Sequence, residues 1–115
     1  MLATGWHNGG AGDDPAAYGL KFFPHDRDKY FDPSWESITL SLDGGEASTE
    51  LVDVDVPLST SFWRSGRELR SAEVGQWLLR QEAAPWLKGS PPSIVVTQED
   101  GNRFSARILR RRALG

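Results

Sequence analysis

The sequence contains no cysteine among its 115 residues and only two histidines, His7 and His25. The lack of cysteine excludes disulfide bonds and thiolate metal sites. It also fits a reducing compartment, so we expect a cytoplasmic protein. A hydrolase needs a nucleophile or a metal constellation, and no such motif surrounds either histidine. We therefore predict no catalysis, no cofactor and no metal, including at the turn that holds His25, Asp26 and Asp28.

Long apolar runs are also absent. No stretch approaches the length of a membrane span, and residues 1–10 lack the basic and apolar regions of a signal peptide. We therefore expect no membrane association. The chain length favours one domain over residues 1–115. Within it we expect a Gly-rich, irregular segment at 1–17 and a basic tail at 110–115.

The net charge of −3 conceals an asymmetry along the chain. Residues 1–58 carry eleven acidic and three basic side chains, whereas residues 59–115 carry ten basic and five acidic ones. Such a split suggests one basic surface, which is what binding to an anionic polymer requires. The Arg110-Arg111-Arg112 run either keeps the protein in solution or contacts phosphates.

Alternating apolar and polar residues predict most of the strands. The clearest is 35–42, followed by an Asp43-Gly44-Gly45 turn signal and a return strand to about Val56. Leu51 beside Val52 interrupts the alternation, which favours a bulge there. Further strands are expected at 18–23, 93–98 and 103–109, the last two joined by a hairpin at 99–102. The predicted core consists of Ile38, Leu40, Leu42, Val54, Val74, Trp77, Leu78, Ile94, Val96, Phe104 and Ile108.

Residues 65–82 predict a pair of short helices. Ser65 and Glu68 have the spacing of a capping box, and Ser71 can cap a second helix with Glu73 in its first turn. Another short helix is expected to begin at Pro24. Together these elements predict an α+β, mainly β fold, built as a small curled sheet or pseudobarrel. Trp6 in the Gly-rich start either packs back on the domain or belongs to a binding loop.

The order of elements resembles that of the B3-type pseudobarrel, over roughly residues 18–109. Trp77-Leu78-Leu79-Arg80-Gln81, then Leu87-Lys88-Gly89, then an apolar strand and Phe104 are similar to that family's tryptophan helix, L-x-x-G-D turn and closing hairpin. Ser90 stands where the family has Asp. The family occurs in plant transcription factors and in recognition domains of some restriction endonucleases. The resemblance therefore implies DNA binding, in association with a restriction or defence system.

Six basic side chains are the candidates for contacts with double-stranded DNA: Lys21, Arg64, Arg67, Arg70, Arg103 and Arg107. Phosphate contacts would supply affinity, and one or two arginines could read guanine edges. This function requires the six to share one surface, with Asp53 and Asp55 turned away. Two alternatives stay open. One is a protein-interaction domain with Trp and Arg anchors, and the other is a small enzyme that uses His7 or His25 with nearby acids.

Overall fold

Seven strands form one mixed sheet in the computed structural model, which describes residues 1–44, 51–64 and 67–109. The strands are β1 (Leu2–His7), β2 (Tyr18–Lys21), β3 (Ser37–Asp43), β4 (Leu51–Pro57), β5 (Glu68–Arg70), β6 (Ser93–Asp100) and β7 (Arg103–Leu109). Three short helices accompany them: α1 (Pro24–Tyr30), α2 (Thr60–Trp63) and α3 (Ala72–Arg80).

The sheet curls into a nearly closed barrel. Its strand order is β4-β3-β7-β6-β1-β2-β5, and the two end strands β4 and β5 approach each other. All neighbouring pairs are antiparallel except β3 and β7, which run parallel. The prediction of a mainly β fold with a curled sheet and short helices is confirmed at this level.

Side-chain alternation places the core inside the barrel. In β3 the residues Ile38, Leu40 and Leu42 are fully buried, whereas the serines and threonine between them are only half-buried. The same period-2 alternation operates in β6 and β7. Every predicted core residue is buried except Ile108, which is half-buried.

The Gly-rich segment at 1–17, which the sequence predicted to be irregular, begins with a strand, whereas residues 8–14 form bends and turns. Leu2–His7 forms β1, a central strand between β6 and β2. The inward positions Ala3 and Gly5 hold small residues, so the hydrophobic alternation that marks a strand is missing. Gly5 lies under the rings of Pro92 and Trp86, where an added Cβ would come within 2.9 Å and 3.0 Å of their atoms. Only the non-local packing therefore shows why this strand forms.

The predicted helical pair at 65–82 is wrong in its first half. The first helix, α2, begins earlier, with Ser59 accepting a hydrogen bond from the Phe62 amide at its N-cap. Glu68 lies in β5, where pairing with β2 determines the conformation. Ser65 lies outside the described residues. The second helix is confirmed: the Ser71 side chain accepts a hydrogen bond from the Val74 amide.

The bulge expected near Leu51 is also wrong. The β3–β4 register runs without a shift from Asp43–Leu51 to Ser37–Pro57. Val52 pairs with the buried Leu42, yet it is 47% exposed, because β4 is the end strand of the sheet. The turn signal at 43–45 and the basic tail lie partly or wholly outside the described residues.

Aromatic side chains fill both ends of the barrel. At one end Phe22, Phe31 and Phe62 pack edge to face, with ring centroids 5.0–6.0 Å apart. At the other end Tyr18 packs against His7 and Trp86. β2 connects the two clusters, since it begins at Tyr18 and leads into Phe22.

Candidate nucleic-acid interface

The outer face of β1, β2 and β5 carries a tryptophan between basic side chains. The strand register places Trp6 opposite Gly19, and Gly19 opposite Arg70. One step along, Thr4 lies opposite Lys21. Leu20 and Leu69, which alternate with these residues, are buried inside the barrel. Trp6, Lys21 and Arg70 therefore point outward together.

Arg70 lies over the ring of Trp6. The guanidinium carbon of Arg70 is 4.8 Å from the centroid of the indole, a distance at which a cation is attracted to the ring face. Gly19 lies between them in the sheet, so no side chain separates the two. Trp6 is half-buried, and the Arg70 side chain is 61% exposed. Trp6 thus belongs to a strand rather than to a loop, with one face of its ring covered by an arginine.

Arg67 joins this group from the position immediately before β5. It lines a shallow depression of about 110 Å³ together with Thr4, Lys21 and Phe23. Its φ is 57°, and its carbonyl accepts a hydrogen bond of 3.1 Å from the Phe22 amide. We call the group formed by Trp6, Lys21, Arg67 and Arg70 the Trp6 face.

One acidic side chain lies beside the Trp6 face. Glu68 is 5% exposed, and its Oε1 accepts a hydrogen bond from the Ser61 hydroxyl at 2.6 Å. The same oxygen is 3.7 Å from Nη2 of Arg70. Glu68 therefore offsets part of the positive charge and helps to hold Arg70 in place.

Arg64 does not form a helical ridge with Arg67 and Arg70. It follows α2 as an exposed C-cap residue, and its carbonyl accepts a hydrogen bond of 2.7 Å from Arg27. Arg27 also donates to the Phe62 carbonyl at 3.1 Å, so it links α1 to α2. A spacing of three would place these arginines on one ridge only in a helix, and Glu68–Arg70 is a strand.

Arg103 and Arg107 lie on a different side of the barrel. Both are exposed on the outer face of β7. Between β7 and β5 lie β3 and β4 in one direction and β6, β1 and β2 in the other. In a nearly closed ring of seven strands, this is the greatest possible separation. The six predicted side chains therefore do not share one surface.

On the outer face of β7, Arg103 forms an ion pair with Asp53. Its Nη2 lies 3.1 Å from Oδ2 of Asp53, and Oδ1 of Asp53 accepts a hydrogen bond from Ser41 at 2.5 Å. The hydrogen bond from Ser41 lowers the pKa of Asp53 most, and Arg103 lowers it further. Asp53 is thus bonded to a candidate arginine rather than turned away from it.

A second feature, which the sequence did not predict, lies at the end of the barrel beside Tyr18. The ring centroid of Tyr18 is 4.6 Å from that of His7 and 5.4 Å from that of Trp86. The Tyr18 hydroxyl donates a hydrogen bond of 2.5 Å to the Gly12 carbonyl. Burial raises the pKa of Tyr18, and the negative charge of Asp13 adds to the effect. The unusual Trp6-His7-Asn8 run was a signal in the sequence, but its link to Trp86 is tertiary.

His7 has a nitrogen without a partner. Its Nδ1 accepts a hydrogen bond from the Gly9 amide at 3.2 Å, so in the neutral ring the proton is on Nε2. Nε2 is buried and has no hydrogen-bond partner among the residues that the structure describes. Leaving a buried donor unsatisfied costs about 1–3 kcal/mol.

The described ranges contain no feature that supports metal binding or insertion into a membrane. They contain no group of three or more His, Asp or Glu side chains arranged to hold a metal ion. His25 is exposed on α1, away from His7. No helix in the same ranges is long and apolar enough to cross a bilayer.

No protein-family model, no curated protein and no solved structure matches this chain. The resemblance to the B3-type pseudobarrel, and the DNA binding that it implies, therefore stay predictions.

Proposed function

We propose that this protein is a DNA-binding module that contacts double-stranded DNA through the Trp6 face. The observation that carries the proposal is the gathering of Lys21, Arg67 and Arg70 around a half-exposed tryptophan on one face. Cations at such positions can neutralise phosphates and release counterions, which supplies most of the affinity for DNA. The exposed end of Arg70 can also form hydrogen bonds with a guanine edge.

The requirement that all six predicted side chains share one surface is not met. The proposal is therefore narrower than the sequence prediction and uses four of the six residues. Arg64 is exposed at the end of α2, three residues before Arg67 in the chain, and can add a phosphate contact. Arg103 and Arg107 are left out because β7 lies three strands from Arg70 on β5, and because Arg103 is paired with Asp53. The proposal includes no catalysis and a cytoplasmic location. The association with a restriction or defence system rests on the B3-type resemblance alone.

The test is a titration of short fluorescent duplexes, followed by anisotropy at several salt concentrations. We expect affinity to fall steeply with salt, and Arg70→Gln and Lys21→Gln each to reduce the salt slope by about one. Arg107→Gln is the matched control, since it removes an exposed arginine from β7, which lies three strands from the β5 strand that carries Arg70. No duplex binding at micromolar protein and low salt, or equal losses in all three variants, would refute the proposal.

A protein-interaction domain is the second candidate, favoured by an apolar patch on the outer face of β1, β6 and β7. Leu2 lies opposite Val95, and Leu109 lies opposite Ser93, with Leu2 and Leu109 each 46% exposed. Such a patch beside Trp6 and Arg107 has the residue types of binding hot spots. If the protein binds no duplex, this candidate predicts that it binds a protein partner. The substitutions Leu2→Asp and Leu109→Asp should then each weaken that binding.

A further inference from the structure

The cavity at the end of the barrel is a second site. It has a volume of about 210 Å³ and is lined by His7, Gly12, Tyr18, Pro85 and Trp86. Sites for drug-sized ligands measure roughly 300–1,000 Å³, so this one suits a single small ring system. Three of its five lining residues are aromatic, which favours a flat ligand that can stack.

The wall of this cavity includes a possible hydrogen-bond donor. His7 lines the cavity, and its Nε2 is buried without a partner among the described residues, so the ring has to turn before it can present the Nε2 proton to a ligand. A ligand with a carbonyl oxygen or a ring nitrogen could accept this hydrogen bond. Nucleobases combine a flat aromatic surface with such acceptors on their edges.

The cavity lies one rung beyond the Trp6 face, at the end of β1. His7 follows Trp6 in β1, and Tyr18 precedes Gly19 in β2, so the His7–Tyr18 pair is the next rung after Trp6–Gly19. Side chains alternate along a strand, so His7 and Tyr18 project from the opposite side of the sheet to Trp6 and Arg70. A base from a nucleic acid held by Arg70 would therefore have to pass around the end of β1 to enter the cavity.

We infer that this cavity receives one unpaired nucleobase of the bound DNA, stacked beside Trp86 and hydrogen-bonded by Nε2 of His7. The inference rests on the proposed DNA binding through the Trp6 face. A base enters such a pocket only after leaving its stack, and the energy required is least for a mismatched base. The protein should therefore prefer a duplex with one mismatch over the same duplex fully paired.

The test compares three duplexes of the same length by anisotropy: fully paired, with one central mismatch, and abasic at that position in both strands. The doubly abasic duplex is easily deformed but offers no base. We expect the mismatched duplex to bind about tenfold more tightly than the paired one, and the abasic duplex to show no such gain. If the abasic duplex also bound about tenfold more tightly than the paired one, the protein would be responding to how easily the duplex deforms and not to a base. This result would overturn the inference.

Two variants test the cavity itself. His7→Phe keeps a ring but removes the Nε2 donor. Gly12→Val fills space, because a Cβ at Gly12 would lie 3.6 Å from Pro85 and 3.9 Å from the Tyr18 hydroxyl. We expect both to lose the preference for the mismatch and Arg107→Gln to keep it. Circular dichroism checks that each variant is folded, and retention of the preference in either folded variant would overturn the inference.

The outcomes separate the two proposals. If wild-type protein binds paired duplexes with a steep salt dependence but shows no preference for the mismatch, only the base-binding inference fails. If it binds no duplex at micromolar concentration, both fail.

Discussion

Gly75 lies against the carbonyl of Pro15 so closely that an added Cβ would come 2.0 Å from the oxygen. Gly75 is inside α3, and Pro15 begins the single 3-10 turn before β2. The contact fixes the connection from β1 to β2 against the helix. Glycine usually destabilises a helix, but position 75 has no room for a larger residue, because Pro15 packs against it.

Gly75→Ala should consequently destabilise the protein. In an ordinary helix this exchange stabilises by about 0.5–1 kcal/mol, whereas here the overpacking should cost about 1–3 kcal/mol. Urea denaturation measures the free energy of unfolding. Gln76→Ala, at an exposed position of the same helix, should stay within about 0.5 kcal/mol of wild type. A gain in stability from Gly75→Ala would contradict the packing.

Trp77→Ala should cost on the order of 3–5 kcal/mol, as truncation of a large buried aromatic does. Trp77 is 2% exposed, and its Nε1 donates a hydrogen bond of 2.7 Å to the Asp43 carbonyl. Trp77→Phe keeps most of the apolar contact but loses that donor, so its cost should be smaller. Urea denaturation of both variants checks the order, and a Trp77→Ala cost below about 1 kcal/mol would argue against burial.

Asp53 should stabilise the protein at neutral pH and lose that effect in acid. Its pKa is lowered in the folded state by the hydrogen bond from Ser41 and then by Arg103. The stabilisation is therefore fully present above the pKa of the unfolded chain, about 3.9 for an Asp. It disappears as the pH falls through the lower folded value.

The measurement is the difference in unfolding free energy between wild type and Asp53→Asn, from pH 7 down to pH values below the ordinary Asp pKa. We expect the difference to shrink across that range, and to shrink less when Ser41→Ala is already present. A difference that is constant with pH would show that Asp53 is not held in its charged form.

Glu68→Gln should tighten duplex binding if the Trp6 face contacts DNA. The change removes a negative charge 3.7 Å from Arg70 while keeping an acceptor for Ser61. Glu68 is buried, but Arg70 is 61% exposed and the two groups are 3.7 Å apart, so solvent screens the pair. At about 0.2–1 kcal/mol for such a weak pair, the gain should reach at most roughly fivefold. Ser61→Ala, which removes the hydrogen bond but not the charge, is the control. Unchanged or weaker binding by a folded Glu68→Gln protein would count against the Trp6 face.

The sequence alone identifies the elements whose causes are local. Ser71 and Glu73 mark the start of α3, Pro24 marks α1, and the alternation around Ile38–Leu42 marks β3. These features depend on caps, on proline geometry and on a period of two, all of which can be read from neighbouring residues. The core residues of those elements follow for the same reason.

Only the tertiary structure decides the elements whose causes are distant. β1 and β5 are short or glycine-containing, and they form because β6 and β2 provide hydrogen-bonding partners. The same pairing separates the arginines: Arg70 lies beside Trp6, whereas Arg103 lies across the barrel with Asp53. Sequence composition gives the number of charges, but strand order determines which of them face the same way, because neighbours in a sheet need not be neighbours in the chain.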